Sequence, residues 1–406
     1  MEPWQRAVRR LRVRAGRWVG RAGSLLAPAV GRTRRSLRPG LAALAARSGL
    51  RGWRAGVAVA ATGVLAVFVA FAALSGPPRL MPGPGGSMPE IIGFYQNGWS
   101  AAFRSSLRSV KQHYNTIDTV LAFWYSVDGS GGIKADAPSP NVTAWVKAHH
   151  MRMGVLINNV AGSSGSNSRM LTDAAARARA VAGIVSLVHA SGYQEVNIDF
   201  ELLPTSARAG LVTFMQDLRT ALPSTVRLSE SVFPEVGVPA SLTGAYNYPA
   251  LARIVTYLVI MLYDNHSNGG PAGPVSPLPW VQSNMNWFLH TAAIPADKLV
   301  LGAGVYGYDW PVGSTTAKNL PLTEVNALLH STGSTVVVDP VSENPHFSYT
   351  SSSGTRHVVW YQDEETLIQR LRLAQKLHLR GVAIWALGQE TPAVWSGIEQ
   401  TWGTKA

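Results

Sequence analysis

From Glu90 onward, short apolar runs of strand length alternate with helical stretches, and the alternation occurs eight times. The runs are EIIGFY (90–95), TVLAFWYS (119–126), RMGVLINN (152–159), EVNIDFE (195–201), VRLSESV (226–232), YLVIMLYD (257–264), LVLGAGVYGY (299–308) and GVAIWAL (381–387). Helical patterns at Thr172–Ala190, Ser206–Ala221 and Glu364–Leu377 stand between them. Thr172 reads as the N-cap of the first, and Gly192 as its left-handed C-cap. Eight β units with helical crossovers over roughly 310 residues predict an α/β chain folded as a (β/α)8 TIM barrel, with a doubly wound sheet as the alternative. The interval between the seventh and eighth runs is longer than one crossover needs. STVVVDP, HFSYTS and RHVVWYQ within it read as short antiparallel strands, which predicts a small α+β insertion on the barrel rim at about 311–360.

The fourth run carries the chemistry. Its period of two puts Val196, Ile198 and Phe200 on one face and Asn197, Asp199 and Glu201 on the other. In a barrel the apolar set suits the layer under the helices, so the polar set points inward. An unpaired carboxylate is costly to bury, and two on one inner face have no packing rationale. They also lie at the C-terminal end of the strand, where barrel enzymes hold their catalytic groups. A structural ion pair is the alternative. However, Arg152 and Arg227 begin their strands and so belong at the opposite end.

These residues resemble a known family. VNIDFE is similar to the Asp-x-x-Asp-x-Asp-x-Glu signature of glycoside hydrolase family 18, the chitinase family. The first two aspartates of that signature align here with Gln194 and Asn197. VIMLYDNHSNGGPAGPVSPLPWV (259–281) resembles the family's Met-x-Tyr-Asp strand, and its second half is similar to the branch of spore-cortex-lytic and germination glucosaminidases. VYGYDW (305–310) and GVAIWALGQE (381–390) resemble that branch's last two strands, so the resemblance runs from about Ile91 to Trp402. Members of the branch often carry peptidoglycan-binding LysM repeats, and the sequence has none.

The resemblance implies substrate-assisted retaining hydrolysis, in which the N-acetyl oxygen of the sugar itself attacks the anomeric carbon. Glu201 is then the acid that protonates the glycosidic oxygen, and Asp199 orients the acetamido group and stabilises the oxazolinium charge. Their closeness predicts coupled titration with the acid's pKa raised. Asn197 is expected to donate to Asp199 without adding a third charge. Met261 and Tyr263 share a face of strand six; Tyr263 is expected to hold the acetamido carbonyl, and Asp264 to contact the sugar or the same network. Trp385 is the expected aromatic floor and Tyr95 a further wall. For Met261, Tyr263, Tyr95 and Trp385, ordinary core packing is the alternative. His266 reads as a hydrogen-bonded loop residue. No cofactor and no metal is called for.

Composition sets the remaining expectations. The chain has 36 basic and 23 acidic residues, but residues 1–54 alone hold fourteen arginines against one acid, Glu2. The body keeps 22 of each and is formally neutral, which argues against a nucleic-acid partner. Ala55–Leu74 is a twenty-residue run without charge, long enough as a helix to span about 30 Å of hydrocarbon. Arginine before it predicts a cytoplasmic N-terminus and an extracellular body, held by an uncleaved anchor rather than a cleaved signal. SGPPRLMPGPGGSMP (75–89) is then a linker and 90–406 the barrel. With no cysteine, the fold depends on packing alone. The family resemblance, not composition, implies the partner: an N-acetylglucosamine-containing polysaccharide, peptidoglycan or a chitin-like glycan. A non-catalytic glycan-binding protein is the alternative, and the retained Glu201 argues against it.

Overall fold

A computed structural model describes residues 89–98, 105–159 and 166–403, without the side chains of 166–168. The Arg-rich segment, the expected anchor and all but the end of the linker lie outside the described residues. Among the described residues no helix is long and apolar enough to cross a membrane.

All eight expected strands form: β1 Glu90–Tyr95, β2 Thr119–Val127, β3 Arg152–Asn158, β4 Glu195–Asp199, β5 Arg227–Val232, β6 Tyr257–Met261, β7 Leu299–Gly304 and β8 Gly381–Trp385. Each pairs in parallel with its successor, and β8 pairs with β1, Ile92 opposite Ala383, closing the cylinder. A short strand, Ile133–Ala135, adds antiparallel to the end of β2.

Two apolar layers hold the cylinder. Outside the strands, Val155, Ile157, Val196, Ile198, Leu258 and Ile260 pack beneath the helices. Helix Arg208–Ala221 answers with Leu211, Phe214, Met215 and Leu218, the one-sided stripe of an amphipathic helix. Each such side chain, fully buried, stabilises by about 1.5–3 kcal/mol. Inside, Ile92, Phe94, Leu121, Leu156, Tyr257, Val259, Val300 and Ala383 fill the barrel. At the strand-start end, Glu90 binds Arg227 at 2.9 Å and Arg380 at 3.1 Å. Arg227 is thus engaged at the opposite end of the barrel from Asp199 and Glu201.

Two boundaries differ from expectation. The long helix runs Ala174–Ser191 and is capped by Asp173, whose Oδ1 accepts from the N–H groups of Ala175 (2.9 Å) and Ala176 (3.0 Å). Thr172 instead ends the preceding helix, Ser166–Thr172. A carboxylate one position on is the better partner for the positive helix end. Gly192 does cap the other end, at φ 62°. Secondly, the seventh run is two strands. β7 stops at Gly304, and Tyr306–Pro311 joins an antiparallel sheet with Lys318–Pro321, Arg356–Tyr361, Pro345–Thr350 and Val337–Val338. Helix Leu322–Thr332 completes this rim unit, which therefore spans 306–361 rather than 311–360. Both sheets take the same apolar and aromatic residues, so periodicity shows no break where the chain changes sheets at Val305.

Candidate active site

The alternation in β4 persists past its last paired residue. Phe200 stacks on Phe214 of the outer layer at 5.4 Å, so Glu201 falls on the inner side with Asp199 and Asn197. All three are buried, Glu201 the least at 5% exposure. The main chain here is pinned from both sides. The Asn159 side chain accepts from the Glu201 N–H at 3.1 Å and donates to the Glu201 carbonyl at 2.7 Å. The Tyr246 hydroxyl donates to the Phe200 carbonyl at 2.8 Å. Burial above all pushes the Tyr246 phenol well above its usual range, so it stays a neutral donor.

Below the acids, a chain of hydrogen bonds explains why position 197 is an amide. Ser229 donates to Glu195 at 2.9 Å, so it must accept from residue 197, and Asn197 Nδ2 donates to it at 3.1 Å. Ser231 donates to Asn197 Oδ1 at 3.0 Å. One donor and one acceptor are required, which a carboxamide supplies and an ionised carboxylate does not. Asn197 is thus a floor residue, with one Nδ2 hydrogen directed at Ser229. Glu195, fully buried on the same inner face, also accepts from Tyr257. Burial raises its pKa against the lowering effect of the Tyr257 and Ser229 bonds. Gln194 lies outside this set: its Oε1 accepts from the Met153 N–H at 3.1 Å.

On β6, Met261 is buried and continues the inward set of Tyr257 and Val259. Tyr263 is half-buried and meets Tyr306 edge-on at 6.4 Å. Gly304 permits that meeting, since a Cβ there would lie 2.8 Å from the Tyr306 ring and 3.4 Å from Tyr263 Cβ. Asp264, at φ 58°, accepts from the hydroxyls of Tyr306 (2.6 Å) and Tyr308 (3.0 Å), both on the first rim strand. Trp385 ends β8, edge-on to Phe94 (5.5 Å) and Phe123 (5.9 Å), and borders the Tyr306–Tyr308–Trp310 cluster. His266 is a loop residue whose Nδ1 lies 3.1 Å from the Pro274 carbonyl.

Tyr95 is a correction. Ile92 and Phe94 hold the inner positions of β1, so Tyr95 faces outward, 3% exposed, edge-on to Trp124 at 5.5 Å. The strand-one aromatic beside Trp385 is Phe94. Sequence reasoning also passed over Asn159, Glu195, Tyr246, Tyr306 and Tyr308. The parity of EVNIDFE already placed Glu195, and the alternation of VYGYDW the two tyrosines. Nothing local marked Asn159 or Tyr246.

A closed parallel barrel with two inward carboxylates at one strand end, bordered by aromatic rings, fits a glycoside hydrolase. The chain belongs to the glycosyl hydrolases family 18, whose family model matches residues 65–390. It is 26% identical over 323 residues to the Uncharacterized glycosylase YvbX of Bacillus subtilis, covering 76% of this chain and 91% of that protein. The Cortical fragment-lytic enzyme of Bacillus subtilis is 26% identical over 286 residues, 68% of this chain and 65% of the enzyme. In fold, the crystal structure of the Bacillus cereus spore cortex-lytic enzyme SleL matches with a TM-score of 0.71 at 22% identity, covering 78% of this chain and 75% of that one. A chitinase of Chromobacterium violaceum matches at 0.70 and 23% identity, over 77% and 98% of the two chains. The protein is a glycoside hydrolase acting on glycans.

Proposed function

We propose that the enzyme cleaves β-1,4 bonds at N-acetylglucosamine residues, in peptidoglycan or a chitin-like glycan, by substrate-assisted catalysis with retention. The observation that carries the reading is the shared inward placement of Asp199 and Glu201, with Glu201 outermost and its main chain clamped. Glu201 protonates the leaving glycosidic oxygen. The acetamido oxygen attacks the anomeric carbon, the glycosidic bond breaks, and an oxazolinium ion forms. Asp199 holds the acetamido N–H and balances the positive charge; Tyr263 donates to the acetamido carbonyl and orients it. Water, deprotonated by Glu201, then opens the ring from the other face, and two inversions give retention. Trp385 offers an apolar surface to the pyranose. Asp264, held by Tyr306 and Tyr308, stands beside the same ring.

The test is product release from N-acetylglucosamine oligomers and from peptidoglycan by the full-length chain, compared with Glu201→Gln. Retained β-anomer from the wild type and none above background from the variant is the expected result. Equal release from both would overturn the assignment.

The location of the enzyme is part of the same reading. Residues 55–74 are proposed to span the membrane with 1–54 in the cytoplasm and the barrel outside, supported by the uncharged run and by the arginines preceding it. Mass spectrometry of the mature N-terminus tests it, since a start beyond Leu74 would mean cleavage.

A further inference from the structure

We infer that Gln96 is a substrate-binding residue, its carboxamide pairing with hydroxyl or acetamido groups of the neutral pyranose that lies against Trp385. The inference rests on the glycosidase reading and adds a specific contact to it.

Gln96 directly follows β1. Its neighbours on either side belong to the outer face: Tyr95 lies edge-on to Trp124, and Asn97 Oδ1 accepts from the Trp124 indole N–H at 2.9 Å. Its main chain is fixed by Ser106, whose Oγ accepts from the Gln96 N–H at 2.8 Å and whose N–H donates to the Gln96 carbonyl at 3.0 Å. Alternation therefore sends the Gln96 side chain inward, next in line after Ile92 and Phe94 and at the end of the barrel that holds Trp385, Asp199 and Glu201. The residue is 0% exposed, yet neither Nε2 nor Oε1 has a hydrogen-bond partner among the described residues.

That state is costly. Each buried polar group left unmet destabilises by about 1–3 kcal/mol, and buried side-chain amides in folded proteins are nearly always paired. Asn197, at the floor of the same barrel, meets the rule through two serines. A structural amide would have acquired such partners. An amide held ready for a ligand has not, and its donors and acceptor match a ring bearing hydroxyl and acetamido groups.

The test uses Gln96→Met, which keeps the length of the side chain and removes the amide. In the Glu201→Gln background, calorimetric binding of the N-acetylglucosamine tetramer should weaken by roughly tenfold or more on adding Gln96→Met. In the wild-type background kcat/KM should fall by a similar factor, while Tm stays equal or rises because an unmet amide has been removed. Tetramer affinity within about twofold of the parent, or a Tm loss of about 5 °C or more, would overturn the inference. So would a Glu201→Gln protein that fails to bind the tetramer. Wild-type protein that binds the tetramer without cleaving it would instead refute the hydrolytic reading, and the affinity comparison would still decide the role of Gln96.

Discussion

Asn159 holds Glu201 by both of its main-chain polar groups, accepting from the N–H at 3.1 Å and donating to the carbonyl at 2.7 Å across two adjacent strand ends. Glu201, the proton donor of the proposed mechanism, is therefore aimed through its main chain. Asn159→Ala should lower kcat by about 10–100-fold with KM little changed, because a small displacement of a catalytic group is expensive in rate. Asn159→Asp keeps the acceptor but sets a lone pair against the Glu201 carbonyl, so it should fall between. Steady-state kinetics on an N-acetylglucosamine oligomer decides, and an unchanged kcat for Asn159→Ala would refute the clamp.

The floor network predicts that the aspartate of the family signature is unwelcome here. Asn197→Asp removes the N–H that Ser229 accepts while Ser229 still donates to Glu195. An oxygen facing an oxygen in a dry site should cost about 1–3 kcal/mol in urea unfolding. Adding Ser229→Ala to Asn197→Asp should recover part of that loss, whereas Ser229→Ala alone should destabilise.

Tyr306 and Tyr308 fasten the rim sheet to the barrel through Asp264. Tyr306→Phe and Tyr308→Phe should each destabilise by about 1–2 kcal/mol, as loss of a hydrogen bond to a carboxylate does. Each effect should be less than additive with Asp264→Ala, since that substitution already removes both bonds. A double-mutant cycle by denaturant unfolding measures this; full additivity would show that the bonds do not couple rim to barrel.

Glu230 gives a pH signature separate from catalysis. It sits in the outer layer between Leu228 and Val232, 0% exposed, with neither carboxyl oxygen partnered among the described residues. Burial raises its pKa well above the ordinary 4.5. A carboxyl whose folded pKa is raised contributes its full stability below the unfolded value and loses it as pH rises through the folded value. Glu230→Gln should therefore match the wild type in Tm near about pH 4 and exceed it increasingly towards about pH 8. A Tm difference that does not change with pH would show that Glu230 is not protonated in the folded chain.

Much of this was legible in the sequence, because each barrel strand is a short apolar run of its own. Parity in EVNIDFE placed the acids correctly, since its two faces differ sharply in polarity. EIIGFY is apolar on both faces, and nothing in it distinguishes the inner Phe94 from the outer Tyr95. The partners of Asn197 come from the register that sets it opposite Ser229 on β5, a consequence of barrel shear rather than of either segment. Asn159 and Tyr246 reach Glu201 and Phe200 across 42 and 46 positions of chain, beyond any local pattern.

A single residue, Val305, separates β7 from the rim sheet, and its N–H is tied to the Trp385 carbonyl at 3.1 Å. The sheet is cantilevered from the barrel wall by continuous main chain. The turns at Gly313 and Gly354 both lie at its far end, where His357 pairs with Pro311, and the first is tied to the loop after β6, whose Gly269 N–H donates to the Thr315 carbonyl at 2.6 Å. Additions to the Gly354 turn lengthen that end at a distance in sequence and fold from Asp199 and Glu201. On the glycosidase reading proposed above, the length of the rim and the placement of the acid pair are therefore set by separate segments of this chain.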